Sequence, residues 1–123
     1  MDKETVVFAS YVAVTVLAAA FNSLTAIANL VGHDYPKRQA DMLRVPRSWV
    51  RPLGTLLAAG ALGLLAGFVV PALGIAAAAG LVLYFTGALV AHLRVHDRHF
   101  GPWALFFALA VAALAVNLAY HGL

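Results

Sequence analysis

Four long apolar segments alternate with short polar ones along this chain of 123 residues. They run over about 5–31, 53–70, 74–94 and 102–121. Each approaches the roughly 20 residues that a helix needs to cross a bilayer. The hydrocarbon offers no hydrogen-bond partners, so every backbone N–H and C=O group must be paired within the protein. Apolar segments of this length therefore form helices. The pattern therefore predicts an all-α fold, an integral membrane four-helix bundle that occupies the whole chain as one domain.

Composition favours the same interpretation. Hydrophobic residues make up 63% of the chain and charged residues 11%, against about 25% charged residues in an average soluble domain. The net charge is +3, but the basic residues flank the apolar segments, so we interpret them as membrane-surface charge and expect no nucleic-acid partner. Because the sequence contains no cysteine, thiol–disulfide exchange by this chain alone is excluded.

The distribution of Lys and Arg predicts the orientation of the spans. Successive spans alternate sides, so the segments 32–52 and 95–101 share one face. Together with Arg94 that face holds seven of the eight basic residues, and the opposite face holds Lys3. The positive-inside rule places the basic face in the cytoplasm. We therefore expect a multi-pass protein of the cell membrane, with membrane lipid as a partner and both termini outside.

The loop between the first two spans interleaves apolar and basic side chains. Trp residues favour the headgroup level of a bilayer, and Arg residues extend their charged ends to it. The pattern predicts a segment lying in the membrane interface, and the alternative is a solvated basic loop. The expected headgroup contacts are Arg44, Arg47, Trp49, Arg51 and Arg94.

A polar stripe runs along the first span. Its members, at intervals of 4, 7, 3 and 4 residues, share one helical face: Tyr11, Thr15, Asn22, Thr25 and Asn29. Amides are unfavourable in hydrocarbon, so this face is expected to point into the bundle. Two interpretations stay open at this stage: the amides join helices at about 0.6 kcal/mol per hydrogen bond, or they line a small polar pocket.

Three histidines near the end of the third span, His92, His96 and His99, are spaced i, i+4, i+7. On a continuing helix they would share a face, which makes them weak candidates for a metal site. The following Gly-Pro sequence ends such a helix, however, and the neighbouring Arg94 and Arg98 oppose a bound cation. We therefore expect no specific metal site.

His92 differs from the other two because it lies about one turn deeper in the span. It is either a pocket residue or a helix-end residue bonded to a carbonyl group. A membrane haem usually takes axial ligands from facing helices. The other span-associated histidine, His121, lies at the opposite membrane face. We therefore expect no haem.

Two runs of sequence resemble a known family. They are VPRSWVRPLGTLLAAGALGLLAGF at 45–68 and LGIAAAAGLVLYFTGALVAHLR at 73–94. The matching elements are Arg44-Val45-Pro46, Leu53-Gly54, Gly60-Ala61-Leu62-Gly63-Leu64, Gly87-Ala88 and His92-Leu93-Arg94. Over about 21–100 the chain resembles the DoxX-like family of small four-helix integral membrane proteins, in its actinobacterial type. The resemblance implies a four-helix bundle in the cell membrane.

The resemblance implies chemistry only in outline. The family name comes from a quinone-linked thiosulfate-oxidising subunit, and other relatives accompany redox enzymes, which implies a quinone or a membrane redox enzyme as candidate partners. Many members carry a Glu three residues after the Gly that opens the second helix. This chain has Leu57 at that position, so an activity that depends on the carboxylate does not carry over.

Three functions remain open from the sequence. In the first, the protein binds a small lipophilic molecule, with a quinone as a candidate cofactor, or a redox partner in a pocket lined by Asn22, Asn29, Tyr84 and His92. In the second, it is an enzyme that uses His92 as a general acid or base on an apolar substrate. In the third, it is a structural accessory subunit that docks through glycine-rich helix faces, and homo-oligomer formation would use the same faces.

Overall fold

The computed structural model describes residues 2–96 and 101–121. Within these ranges the chain forms helices and connecting turns without a strand, which confirms the all-α prediction. The elements are α1 (Lys3–Leu30), α2 (Asp34–Met42), a short 3-10 turn (Arg47–Trp49), α3 (Val50–Ala66), α4 (Pro71–Arg94) and α5 (Gly101–His121).

Four of these elements are long and apolar enough to cross a membrane: α1, the 3-10 turn continued by α3, α4 and α5. The chain is therefore a multi-pass membrane protein. α1 packs against α3 and α5, and α4 packs against the same two helices. The spans thus form a ring in the order α1, α3, α4, α5.

Small residues fill the centre of the ring. The buried core consists largely of alanines with a few larger side chains: Ala18, Ala19, Ala26, Ala61, Ala78, Ala110, Ala113, Leu57, Leu64, Leu81 and Phe85. Between membrane helices, close backbone approach supplies the packing energy that the hydrophobic effect supplies in water. A core of alanines permits that approach.

The second and third spans differ in their bounds from the sequence expectation. α3 begins at Val50 and ends at Ala66, and α4 begins at Pro71, so the connecting turn covers 67–70. Pro71 occupies the first helical position. Proline suits that position because its φ is already helical and its missing N–H would have no partner there. The proline therefore starts α4 instead of lying inside the turn.

The GxxxG sequence of α3 packs against α4. A Cβ on Gly63 would lie 2.7 Å from the Cβ of Ala77, and a Cβ on Gly67 would lie 2.5 Å from the Cα of Gly74. Both distances are too short for any larger residue without movement of the helices. The glycines therefore hold α3 and α4 together inside the bundle, which is how small residues commonly act between membrane helices.

Candidate functional site

A cavity of about 660 Å³ lies at the end of the bundle that carries α2. It is bordered by α2, the segment that follows it, and the adjoining parts of the four spans. The lining residues are Leu24, Thr25, Ala28, Asn29, Tyr35, Pro36, Gln39, Ala40, Leu43, Val45, Trp49, Val50, Leu53, Tyr84, Gly87, Ala88, Ala91 and Phe106. We call this space the main cavity. Its lining is apolar apart from a few hydroxyl and amide groups and the Trp49 indole, and none of these lining residues is acidic or basic.

Helix α2 covers this cavity, and the sequence accounts for its formation. His33 is its N-cap, with Nδ1 accepting a hydrogen bond of 3.0 Å from the backbone N–H of Tyr35. Ala40 is buried toward the bundle, whereas Asp34, Arg38 and Asp41 are exposed. An amphipathic helix of this kind lies along a membrane surface more readily than it crosses the membrane. The loop expected to lie in the interface thus contains a helix that the sequence analysis did not assign.

An ion pair closes the segment after α2. The Arg47 guanidinium donates to both carboxylate oxygens of Asp41, with Nη2 at 2.6 Å from Oδ2 and Nε at 3.0 Å from Oδ1. The hydrogen-bonded guanidinium holds the pKa of Asp41 below its usual range. Both side chains are more than half exposed, so the pair contributes little energy but sets the path of the chain toward α3.

Arg94 ties the end of α4 to the end of α2. Its Nη2 donates to the carbonyl oxygen of Leu43 at 2.8 Å and to that of Arg44 at 3.1 Å. The fork satisfies two carbonyls just after α2 ends, which is where a helix leaves such groups unpaired. Of the five residues predicted to contact headgroups, Arg94 and Arg47 thus have partners in the protein, and Trp49 is 55% exposed.

Asn29 joins two spans at the cavity wall. Its Nδ2 donates to the carbonyl oxygen of Val50 at 3.1 Å, which links α1 to the start of α3. A Cβ on Gly54 would lie 2.6 Å from the Asn29 Cβ, so the two helices touch at this point. Asn29 thus joins α1 to α3 and also lines the main cavity.

A second cavity of about 550 Å³ adjoins the first and contains His92. The two cavities share several lining residues, namely Tyr35, Gln39, Leu43, Tyr84, Ala88 and Phe106. His92 is buried on α4, with 7% of its surface exposed. Tyr84 borders both spaces from the same helix, two turns earlier. The structure thus brings Asn29, Tyr84 and His92 around two adjoining cavities.

Asn22 lies elsewhere. It is fully buried inside the bundle and is absent from the lining of both cavities. Its Nδ2 donates to the carbonyl oxygen of Ala18, one turn earlier in the same helix, at 2.7 Å. This bond joins no second helix. Asn22 is therefore separate from the three residues with which the sequence grouped it.

Aromatic residues of α5 complete the site, and sequence reasoning missed them. Trp103 donates from Nε1 to the carbonyl oxygen of Phe85 at 2.6 Å, and its ring stacks on Phe107 at 4.9 Å between centroids. Phe106 stacks on Phe85 at 5.6 Å and borders both cavities. Their positions in the first turns of α5 were the available signal, since antiparallel neighbours bring that end beside the end of α4.

The histidine cluster does not continue as a helical face. α4 ends at Arg94, and His96 follows with a positive φ of 58°, so the i, i+4 geometry with His92 is lost. In the part of the chain that the structure describes, no three His, Cys, Asp or Glu residues are grouped as a metal site would need. His99, Asp97 and Arg98 lie outside the described residues.

Comparison with protein families supports the resemblance seen in the sequence. The model of the DoxX-like family matches residues 13–117, which is most of the chain. The chain belongs to the DoxX-like family. Its actinobacterial type stays a prediction. Comparison with curated proteins and comparison with solved structures each gave no significant match.

Leu57 occupies the position at which the resemblance implied a carboxylate. The Leu57 side chain is 1% exposed and belongs to the core cluster that also contains Leu64 and Leu81. An apolar residue at that position packs the bundle and offers no proton. Around the two cavities near α2, the polar groups include those of Asn29, Tyr84, Gln39 and His92.

Proposed function

We propose that this protein binds a small lipophilic molecule in the main cavity beneath α2. The observation that supports this is the cavity's size and lining. Its volume is about 660 Å³, and its wall is mostly apolar, with Asn29, Tyr84 and Gln39 as separated polar groups. Binding sites for small molecules typically have this size and this mixture of apolar surface with few polar contacts.

A quinone is the ligand class that we favour. Its ring carries carbonyl oxygens that accept hydrogen bonds, and amide and phenol groups donate them. Its isoprenoid tail suits an apolar wall. The lining of the main cavity has no acidic or basic side chain, so a charged ligand would enter without a counter-charge. A neutral carbonyl compound meets no such cost.

The test uses two glycines of α4 that lie seven residues apart. A Cβ on Gly87 or on Gly80 meets nothing within 4 Å, so both positions tolerate a side chain. Gly87 borders the main cavity, whereas Gly80 does not. We expect Gly87→Leu to weaken binding of a short-chain quinone by about tenfold or more, a loss of roughly 1.4 kcal/mol or more. Gly80→Leu is the matched control.

Binding can be followed by quenching of tryptophan fluorescence, because Trp49 borders the main cavity and Trp103 the second one. Mass spectrometry of lipids extracted from the purified protein would identify the native molecule. Equal affinity in the two leucine variants, or no saturable quenching by any quinone, would contradict the proposal.

A second candidate function is catalysis by His92. This histidine is buried, and it borders a cavity that adjoins the proposed ligand site. An imidazole so placed is suited to exchange a proton with a bound molecule. His92→Ala would then abolish turnover while leaving affinity within a few-fold, and His96→Ala, in an exposed residue past the end of α4, would be the control. Full turnover in His92→Ala would exclude this role.

The accessory-subunit alternative meets a structural constraint. Gly60, Gly63 and Gly67 of α3 contact α4 within the chain, against Leu81, Ala77 and Gly74 respectively. These glycines are therefore engaged inside the bundle. A membrane redox enzyme or a second copy of this chain would have to dock on another face. The proposal for the main cavity requires no such partner.

We also propose that the α2 end faces the cytoplasm, with both termini outside. The basic residues of this end support the proposal through the positive-inside rule. The chain has no cysteine, so single-cysteine variants report cleanly. Ser48→Cys is expected to resist a membrane-impermeant thiol reagent in intact cells, and Asp2→Cys to react with it. The reverse pattern would refute this orientation.

A further inference from the structure

The opposite end of the bundle, where the chain termini lie, contains buried polar atoms that the proposed ligand site does not use. In the described part of the chain, four such atoms there have no hydrogen-bond partner: the Tyr11 hydroxyl, the Thr15 hydroxyl, Asn117 Oδ1 and His121 Nε2. Tyr11, Thr15 and Asn117 are at most 1% exposed. Native proteins rarely leave buried polar atoms unpaired, so a group of them requires an explanation.

The four residues lie at the same end of the bundle. The rings of Tyr11 and His121 are 5.1 Å apart between centroids, which joins α1 to α5 at this level. α1 and α5 run antiparallel, and Phe21 of α1 meets Phe106 of α5 at 6.3 Å. One turn further into the bundle from the first contact lie Thr15 on α1 and Asn117 on α5. We call this group the terminal polar cluster.

Thr15 differs from other threonines of this chain in a way that points into the cluster. Thr25, Thr55 and Thr86 each donate to the carbonyl four residues earlier in their own helix, at 3.0, 3.1 and 2.7 Å. The Thr15 hydroxyl makes no such bond, although it is fully buried. A hydroxyl in a membrane helix that gives up this local bond needs a partner elsewhere.

The cluster contains a hydrogen-bond acceptor as well as groups that can donate. Asn117 uses Nδ2 to donate to the carbonyl of Ala113 at 2.7 Å, so its Oδ1 remains as an acceptor. A Cβ on Gly74 would lie 2.7 Å from that oxygen, so the oxygen faces the Cα of Gly74, which carries no N–H or O–H donor. The hydroxyls of Tyr11 and Thr15 can each donate and accept, and the imidazole nitrogen does one or the other.

We propose that the terminal polar cluster is a second binding site, which holds ordered water molecules between α1 and α5. Water is the ligand that donates and accepts at once, and buried waters typically make about three hydrogen bonds to groups of this kind. None of the four residues is an acid, a lysine or an arginine, so the cluster offers an ion no fixed counter-charge. The hydrated cluster bridges the two helices by hydrogen bonds that the side chains do not make directly.

X-ray radiolysis of the purified protein tests the proposal, because hydroxyl radicals formed from a bound water oxidise side chains beside it. We expect Tyr11 to be oxidised in the wild-type protein despite its burial, and oxidised several-fold more slowly in Thr15→Val. Thr86→Val is the control, since that hydroxyl is exposed and bonded to its own helix. Labelling of Tyr11 by bulk water would be the same in all three proteins.

The midpoint of thermal unfolding gives an independent result with a sign. Valine has nearly the shape of threonine, so Thr15→Val lowers the midpoint if the hydroxyl binds water, and raises it if the hydroxyl is dry and unpaired. Three results would each overturn the proposal. They are protection of Tyr11 from oxidation in the wild-type protein, a rate of Tyr11 oxidation that Thr15→Val leaves unchanged, and a raised unfolding midpoint in Thr15→Val. Neither measurement involves the main cavity, so its outcome does not depend on the proposed quinone site.

Discussion

Gly74 of α4 and Asn117 of α5 are in direct contact near the end of the bundle that holds the chain termini. A Cβ on Gly74 would lie 2.7 Å from Asn117 Oδ1 and 3.0 Å from the Cα of Gly67. One glycine thus lets α4 approach α3 and α5 together. The contact lies between backbone and a buried amide, so neither side yields easily to a larger residue.

Gly74→Ala is expected to destabilise the bundle by about 1–3 kcal/mol, the usual cost of overpacking a tight core. Gly80→Ala on the same helix should be neutral or slightly stabilising, because its Cβ would enter open space and alanine favours helix. Unfolding of both variants in mixed micelles by a denaturing detergent compares them. Equal stability would show that α4 is placed further from its neighbours than the structure has it.

Asn29→Ala is expected to separate the interhelical bond from the packing. Alanine keeps the Cβ that meets Gly54 but removes the Nδ2 donor to Val50. The loss should be about 0.6 kcal/mol, and up to about 1.7 kcal/mol if the carbonyl finds no other donor. Thr86→Ala, which removes a bond within one helix, is the control. A loss no greater than that of the control would rule out Asn29 as a link between α1 and α3.

Arg94→Gln is expected to loosen α2 without unfolding the spans. The variant removes the fork to the carbonyls of Leu43 and Arg44, worth about 1 kcal/mol for a pair at the surface. Amide hydrogens of α2 should then exchange roughly fivefold faster, since 1 kcal/mol corresponds to about that factor. Arg51→Gln is the matched control on an exposed arginine. Unchanged exchange in α2 would mean that other contacts hold it.

The carboxyl group of Asp41 is expected to titrate below its ordinary pKa of 3.8, because the hydrogen-bonded Arg47 favours the charged form. A lowered pKa stabilises the folded segment above the ordinary value, and this contribution is lost as the pH falls through the lowered one. The segment should therefore be unaffected between pH 7 and about pH 5. Carbon NMR of the carboxyl group measures the titration, and Arg47→Gln should return it to the ordinary value. The same midpoint in both proteins would show that the ion pair is absent in solution.

Much of the fold could be predicted from the sequence, and the reason is the bilayer. Long apolar runs bounded by charge leave helices as the available structure, and the family match agrees with that reading. The site was harder to predict. The sequence grouped Asn22, Asn29, Tyr84 and His92 in one pocket, and the structure places three of them, Asn29, Tyr84 and His92, around adjoining cavities. Asn22 has the same chemistry and shares a face with Asn29, yet it lies outside both cavities.

The difference between the two asparagines is one of depth and neighbours, which a helical period does not contain. Asn29 lies beside Gly54 and the carbonyl group of Val50, at the wall of the main cavity beneath α2. Asn22 is fully buried in a stretch of α1 that also buries Ala18, Ala19 and Ala26. Periodicity predicts the face on which a residue lies, whereas the packing of the other helices decides whether that face meets a cavity or a wall.

The amino-acid sequence by itself determined the class of protein, the number of spans, the family and the small residues that let the helices meet, because each depends on composition and on spacing along one chain. The tertiary structure alone decided that the basic loop folds into α2 over a cavity, that Arg94 and Arg47 bond to protein groups, and that Tyr11, Thr15, Asn117 and His121 gather at the far end. The residues that meet in these features lie far apart in the sequence, more than one hundred positions for Tyr11 and His121. Only the packing of the helices brings them into contact.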